Sequence, residues 1–103
     1  MTEHFEIVNG FLYGGFSNLK SGFSNISQYR YGFIKDIIKI DLKTQKKTLL
    51  FSDQVDTFTV VKDRIFFVQN EQWKNQSNLY QWDNNIKQKL VTLPISIKEI
   101  PKY

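Results

Sequence analysis

The sequence predicts an all-β protein made of two tandem four-stranded antiparallel meanders. Three observations carry that expectation. The chain repeats itself: residues 36–51 overlay 78–93 without a gap, and residues 5–13 overlay 58–66. A repeat of that length sets the architecture before any single element is assigned. Apolar residues either alternate with polar ones or run continuously, as in strands covered on one face or on both, and no sustained helical period is present. Turn signals punctuate these stretches, Asn9-Gly10 foremost, and Asn-Gly between apolar runs is the strongest short hairpin signal.

Taken in order, Phe5 to Val8 form a short first strand, and Phe11 to Tyr13 return after the Asn9-Gly10 turn. In the second unit Phe58 to Val61 and Ile65 to Val68 do the same around Lys62-Asp63. Val60-Val61 and Ile65-Phe66-Phe67-Val68 are nearly continuous apolar runs, so both are expected to be covered on two faces. In the second hairpin of each unit, Ile38 and Ile40 share one face and match Tyr80 and Trp82, while Lys39 and Gln81 occupy the other. Period two puts the Ile/aromatic row inward and the Lys/Gln position near solvent. Trp82 is accordingly expected in the core. Asp41 and Asp83 end these strands, where a carboxylate can accept from backbone N–H groups two residues on and start a turn. Thr48 to Phe51 and Leu90 to Leu93 complete the units, and Ile95 to Ile100, between Pro94 and Pro101, reads as a ninth strand where a third unit would begin. The organisation is a single module over 1–103, with repeat 1 at about 5–51, repeat 2 at about 58–93 and a C-terminal strand at about 95–100.

The units differ mainly in their middle loop, which runs from Gly14 to about Lys35 in the first and from about Gln69 to Ser77 in the second. The longer loop echoes itself, Gly15-Phe16-Ser17-Asn18 and then Gly22-Phe23-Ser24-Asn25. Its aromatic content argues against plain disorder, so strands are expected to extend into it, with Tyr29 to Ile34 leading into the third.

Composition narrows the function classes. The absence of cysteine rules out disulfides and thiolate metal sites, and no second histidine joins His4, so no cofactor or metal is expected. No apolar run approaches the roughly 20 residues that cross a bilayer as a helix, and Met1-Thr2-Glu3-His4 does not open a signal peptide. A soluble chain without membrane association is the expectation, and the compartment stays unknown. The net charge of +4 is concentrated at Lys43, Lys46 and Lys47 on a predicted turn, where lysines commonly guard strand tips. Nucleic acid is therefore disfavoured as a partner. The aspartates lie mostly at predicted turns, and the serines have neither a nucleophile elbow nor a base beside them, so no catalytic residue is assigned.

The tandem four-stranded units, with Ile65-Phe66-Phe67-Val68, then Asn78-Leu79-Tyr80-Gln81-Trp82-Asp83, then Lys89-Leu90-Val91-Thr92-Leu93, resemble blades of bacterial TolB-like or WD40-like β-propellers. The turn Asp41-Leu42-Lys43-Thr44-Gln45-Lys46-Lys47 is close to the pattern of those blades, with Gln45 where glycine is usual. The Gly-His pair of true WD40 repeats is absent, and Trp82-Asp83 stands alone. The resemblance implies a blade pair too small to close a ring, because propellers typically have four to eight blades. Such a pair is completed by homo-oligomerisation, as a trimer or a tetramer, or belongs to a larger propeller.

The resemblance and the aromatic loops together favour a non-catalytic interaction module. Its contact surface to a protein or glycan partner is placed on Phe16, Phe23, Tyr29, Arg30 and Tyr31, with Trp73 in the corresponding loop of the second unit. Flat rings beside positive charge offer stacking area to either kind of partner. Two other readings stand beside it: a piece of a propeller-bearing enzyme or sensor whose chemistry lies elsewhere, and a small standalone β protein that inhibits a partner.

Overall fold

The computed structural model describes residues 4–17, 34–71 and 74–95. They form two four-stranded antiparallel sheets and no α-helix, and none of their segments is a helix long and apolar enough to cross a membrane. The first sheet is a meander of β1 (His4–Val8), β2 (Phe11–Ser17), β3 (Ile34–Asp41) and β4 (Lys47–Gln54). The second repeats it with β5 (Thr57–Val61), β6 (Arg64–Glu71), β7 (Gln76–Asp83) and β8 (Ile86–Leu93).

The turns follow local chemistry. Asn9 and Gly10 have φ of 51° and 82°, the two left-handed residues that a type I′ hairpin requires. Asn84 and Asn85, at 52° and 68°, make the corresponding turn between β7 and β8. Lys62 is left-handed at 58° without the help of a small or amide side chain. Between β3 and β4, Asp41 accepts from the N–H groups of Lys43 (2.9 Å) and Thr44 (3.3 Å), and these bonds hold its carboxyl below the usual carboxylate range.

Strand pairing shows that the repeat is structural. The row Phe5–Gly14–Ile38–Leu49 across the first sheet occupies the register of Phe58–Phe67–Tyr80–Lys89 across the second. The next row, Ile7–Leu12–Ile40–Lys47, corresponds to Val60–Ile65–Trp82–Lys87. Both sheets carry a register shift at the same place, between Ile37 and Ile38 and between Leu79 and Tyr80. Each also closes the last hairpin with an equivalent side-chain bond, Ser52 Oγ to Asp36 Oδ1 at 2.6 Å and Thr92 Oγ1 to Asn78 Oδ1 at 2.7 Å. The gapless overlay is corrected in the fourth strand. Counted between equivalent pairs, Ile40 with Lys47 and Trp82 with Lys87, the first turn is two residues longer than the second, so Leu49 corresponds to Lys89 and Phe51 to Val91.

The sheets stack like cards dealt in the same orientation. The face of the first sheet carrying Tyr13, Ile37 and Phe51 lies on the face of the second carrying Phe58, Val60, Ile65 and Phe67. This arrangement overturns one expectation. Tyr80 and Trp82 do face the core, but the matching Ile38 and Ile40 sit on the opposite, outer face of the first sheet, and Lys39 points between the sheets. Stacking two like-oriented sheets turns opposite faces inward, so one register position lies inside in one sheet and outside in the other. Lys39 is accommodated by rings, its Nζ lying 4.2 Å from the Phe11 centroid and 5.7 Å from that of Tyr13. Gly15 lets the sheets approach closely, since a Cβ there would come within 3.1 Å of the Phe58 ring.

A buried carboxylate joins the sheets along their first strands, β1 and β5. Glu6 Oε1 on β1 accepts from Val60 N (2.9 Å) and Thr59 Oγ1 (3.1 Å) on β5, and Oε2 contacts His4 Nε2 at 2.9 Å. His4 is the first residue of β1, and its ring meets Phe58 edge-on at 4.6 Å. At the other side Asp53 on β4 accepts from Lys87 Nζ on β8 (2.7 Å) and Gln69 Nε2 on β6 (2.9 Å).

Candidate interaction surfaces

Four outward residues define the most unusual surface. On the first sheet's outer face Phe5, Ile7 and Leu49 remain 57%, 60% and 58% exposed. They are the register counterparts of Phe58, Val60 and Lys89, and the first two of those are core. Phe16, at the end of β2, continues the face. A Cβ built on Gly14 would sit 2.8 Å from its Cε2, so the ring covers the glycine at the position Phe67 holds in the second sheet. With Leu12, Ile38 and Ile40 between them, these residues form a contiguous apolar sheet face bordered by Lys47 and Asp36. Apolar faces of this kind mark contact sites or aggregation hazards.

The outer face of the second sheet is apolar over part of its area. Val61 and Val91 are 51% and 43% exposed, with Phe66 and Leu79 half-buried beside them and Ile86 exposed at the strand end. Its other end is covered: Val68, Asn70 and Ser77 are buried, and Ser77 Oγ donates to the Ile95 carbonyl at 2.6 Å.

Between the sheets, near the turns, lies a cleft of about 430 Å³ lined by Tyr13, Lys39, Leu50, Asp63, Trp82 and Asp83. Trp82 is held there by stacking on Phe51 at 5.2 Å, and Asp83 pairs with Arg64 at 3.6 Å. The Lys39 ammonium lies between the Phe11 ring and that of Tyr13, which forms part of the wall. A smaller polar pocket at the far end is lined by Gln54, Gln69, Asn70, Glu71, Asn78 and Tyr80. Next to it Asp56 Oδ2 accepts from Asn70 N (2.7 Å) and Gln54 Nε2 (3.0 Å), while burial pushes its carboxyl above the usual carboxylate range. These amide and carboxylate groups bond one another and tie the β4–β5 link to β6. Among the described residues no three His, Cys, Asp or Glu side chains are grouped to hold a metal ion.

Of the residues assigned to binding from the sequence, Phe16 is placed on the apolar outer face. Phe23, Tyr29, Arg30, Tyr31 and Trp73 lie outside the described residues, as do the stretch 29–33 and most of the ninth strand. The sequence reading missed Phe5, Ile7 and Leu49 as surface residues. The Phe5-Glu6-Ile7 alternation marks one apolar face of a strand, but alternation does not say whether that face is covered.

Scans against protein-family models, curated proteins and solved structures each find no match for this chain. What the chain is rests on its own geometry: two like-oriented four-stranded sheets with apolar faces left open at both ends of the stack.

Proposed function

We propose that the chain is a non-catalytic interaction module of two β-propeller-blade-like repeats, which works by docking the outer face of its first sheet on a protein surface. The observation that carries this reading is the exposure of Phe5 and Ile7 at the register positions that Phe58 and Val60 hold in the core, with Leu49 exposed beside them on the same face. Covering such a face removes apolar area from water, at roughly 25 cal/mol per Å². A protein fits this face better than a glycan. Sugars are held by convergent hydrogen-bonding groups, whereas the exposed groups here are aliphatic and phenyl. Phe16, at the end of β2, belongs to the same face and extends it over Gly14. The inter-sheet cleft has a smaller part in this reading, because its cation lies against its own rings and Asp83 has its own partner.

A photo-crosslinking residue at position 49 tests the reading in the cells that make the protein. A protein adduct is expected there, absent from the same probe at Lys43 on the turn and lost when Ile7→Lys is added. If position 49 gives no protein adduct, the face is not a docking surface.

A further inference from the structure

We infer that the occupant of the first sheet's outer face is the second sheet's outer face of another copy of this chain, so that copies stack head to tail. This inference rests on the docking reading above and names its partner. The reason is register. The interface inside the chain presses the row His4–Gly15–Ile37–Phe51 and the row Glu6–Tyr13–Lys39–Thr48 onto the inner face of the second sheet. That inner face and the outer face of the first sheet occupy equivalent positions, and both are apolar: Phe58, Val60, Ile65, Tyr80 and Trp82 against Phe5, Ile7, Leu12, Ile38 and Ile40.

A surface built like the inner face of the first sheet should therefore cover its outer face. The chain has one, in register, on the outside of its second sheet. There Leu79 and Val91 stand where Ile37 and Phe51 stand, and Thr59–Phe66–Gln81–Gln88 stand where Glu6, Tyr13, Lys39 and Thr48 stand, while Thr57 and Val68, at the positions of His4 and Gly15, are already buried within the chain. Ring replaces ring at Phe66 for Tyr13, and aliphatic replaces aliphatic at Leu79 for Ile37. Gln81 takes the place of Lys39 and Thr59 that of Glu6, so the new contact would bury two charges fewer than the old one. The two complementary surfaces lie at opposite ends of the stack. The contact is thus heterologous, and it closes into a ring or runs on as a filament according to the rotation per copy. The Ser77–Ile95 bond covers the far end of the second sheet's outer face, which leaves the part around Val61, Phe66, Leu79 and Val91 for the contact.

Two single variants and their mixture test this. Ile7→Lys blocks the first-sheet face and Val91→Lys the second-sheet face; both residues are exposed, and circular dichroism checks that each variant folds. Should Ile7→Lys fail to fold, Leu49→Lys replaces it on the same face. By sedimentation equilibrium from micromolar to millimolar concentration, the wild type is expected to exceed twice its 12.2 kDa chain mass. Each variant alone stays monomeric, and an equimolar mixture gives a dimer and nothing larger, because one good face of each kind remains. A monomeric wild type, a monomeric mixture, or a Val91→Lys variant that still dimerises overturns the inference, the last by showing like face on like face. The crosslink at position 49 separates the two readings. An adduct of twice the chain mass supports stacking of copies, an adduct of another mass overturns it while the docking reading stands, and no adduct overturns both.

Discussion

Glu6 carries the contact between the edge strands β1 and β5. Its side chain is only 8% exposed, and it accepts from a backbone N–H and a hydroxyl of the other sheet. Glu6→Ala leaves the Val60 N–H without that acceptor, and a lost acceptor at a buried donor costs about 1–3 kcal/mol. Urea denaturation is expected to show that loss, with Glu6→Gln recovering most of it because an oxygen remains in place. Asp56 acts in the other direction. Burial raises its pKa in the folded state, so its contribution to stability is present below the unfolded carboxylate range and is lost as pH rises through the folded value. Asp56→Asn keeps an oxygen for Asn70 N and Gln54 Nε2 without the charge. The variant is expected to match the wild type in Tm at about pH 3 and to exceed it at neutral pH. A gap that widens toward acid would refute the assignment.

At the scale of elements, the two second hairpins reach the same sheet by different turns. Asn84-Asn85 turns in two left-handed residues, whereas the first unit uses a longer loop with Gln45 left-handed at φ 65° and its N–H on the Asp41 carbonyl at 2.6 Å. That explains why glycine is usual at this point in the turn pattern the sequence resembles: only glycine takes this conformation without a steric penalty. Gln45→Gly is expected to stabilise the chain by about 0.5–1 kcal/mol, once glycine's larger entropy loss is set against the relieved strain. Thermal melting measures it, and an unchanged or lower Tm would show that the turn carries no such strain. The strand edges follow a related logic, with Lys47 on β4 and Lys87 and Lys89 on β8 placing charge where another strand could add.

For the molecule as a whole, the core lies between the sheets and not within either, so neither should be stable without the other. Phe67 is fully buried and contacts Phe51 of the first sheet at 5.2 Å and Tyr80 of its own at 5.3 Å. Phe67→Ala is expected to cost about 3–5 kcal/mol. If the stack is one cooperative unit, amide exchange at Tyr13 and Ile37 accelerates by the same free energy as at Ile65 and Val68. Acceleration confined to the second sheet would show two separately folding halves. At this scale the open faces also become consequential: a stack of two like sheets always ends in one unused face of each kind.

The strands, their antiparallel order and most turns were legible in the sequence because period two, Asn-Gly and the internal repeat are local signals, carried by neighbours a few residues apart. The repeat even forecast the matched rows, Phe5 with Phe58 and Ile38 with Tyr80. The slip of Leu49 onto Lys89 escaped it, since a gapless comparison cannot see a turn longer by two residues. Which face lies inside was read correctly for Tyr80 and Trp82 and wrongly for Ile38 and Ile40. Ile40 and Trp82 read alike, yet one points outward and the other into the core, because burial is a property of what lies opposite a strand and not of the strand itself. The sequence by itself determined that this chain makes two equivalent sheets. Only the tertiary structure decided that they stack in the same sense, leaving Phe5, Ile7 and Leu49 uncovered at one end.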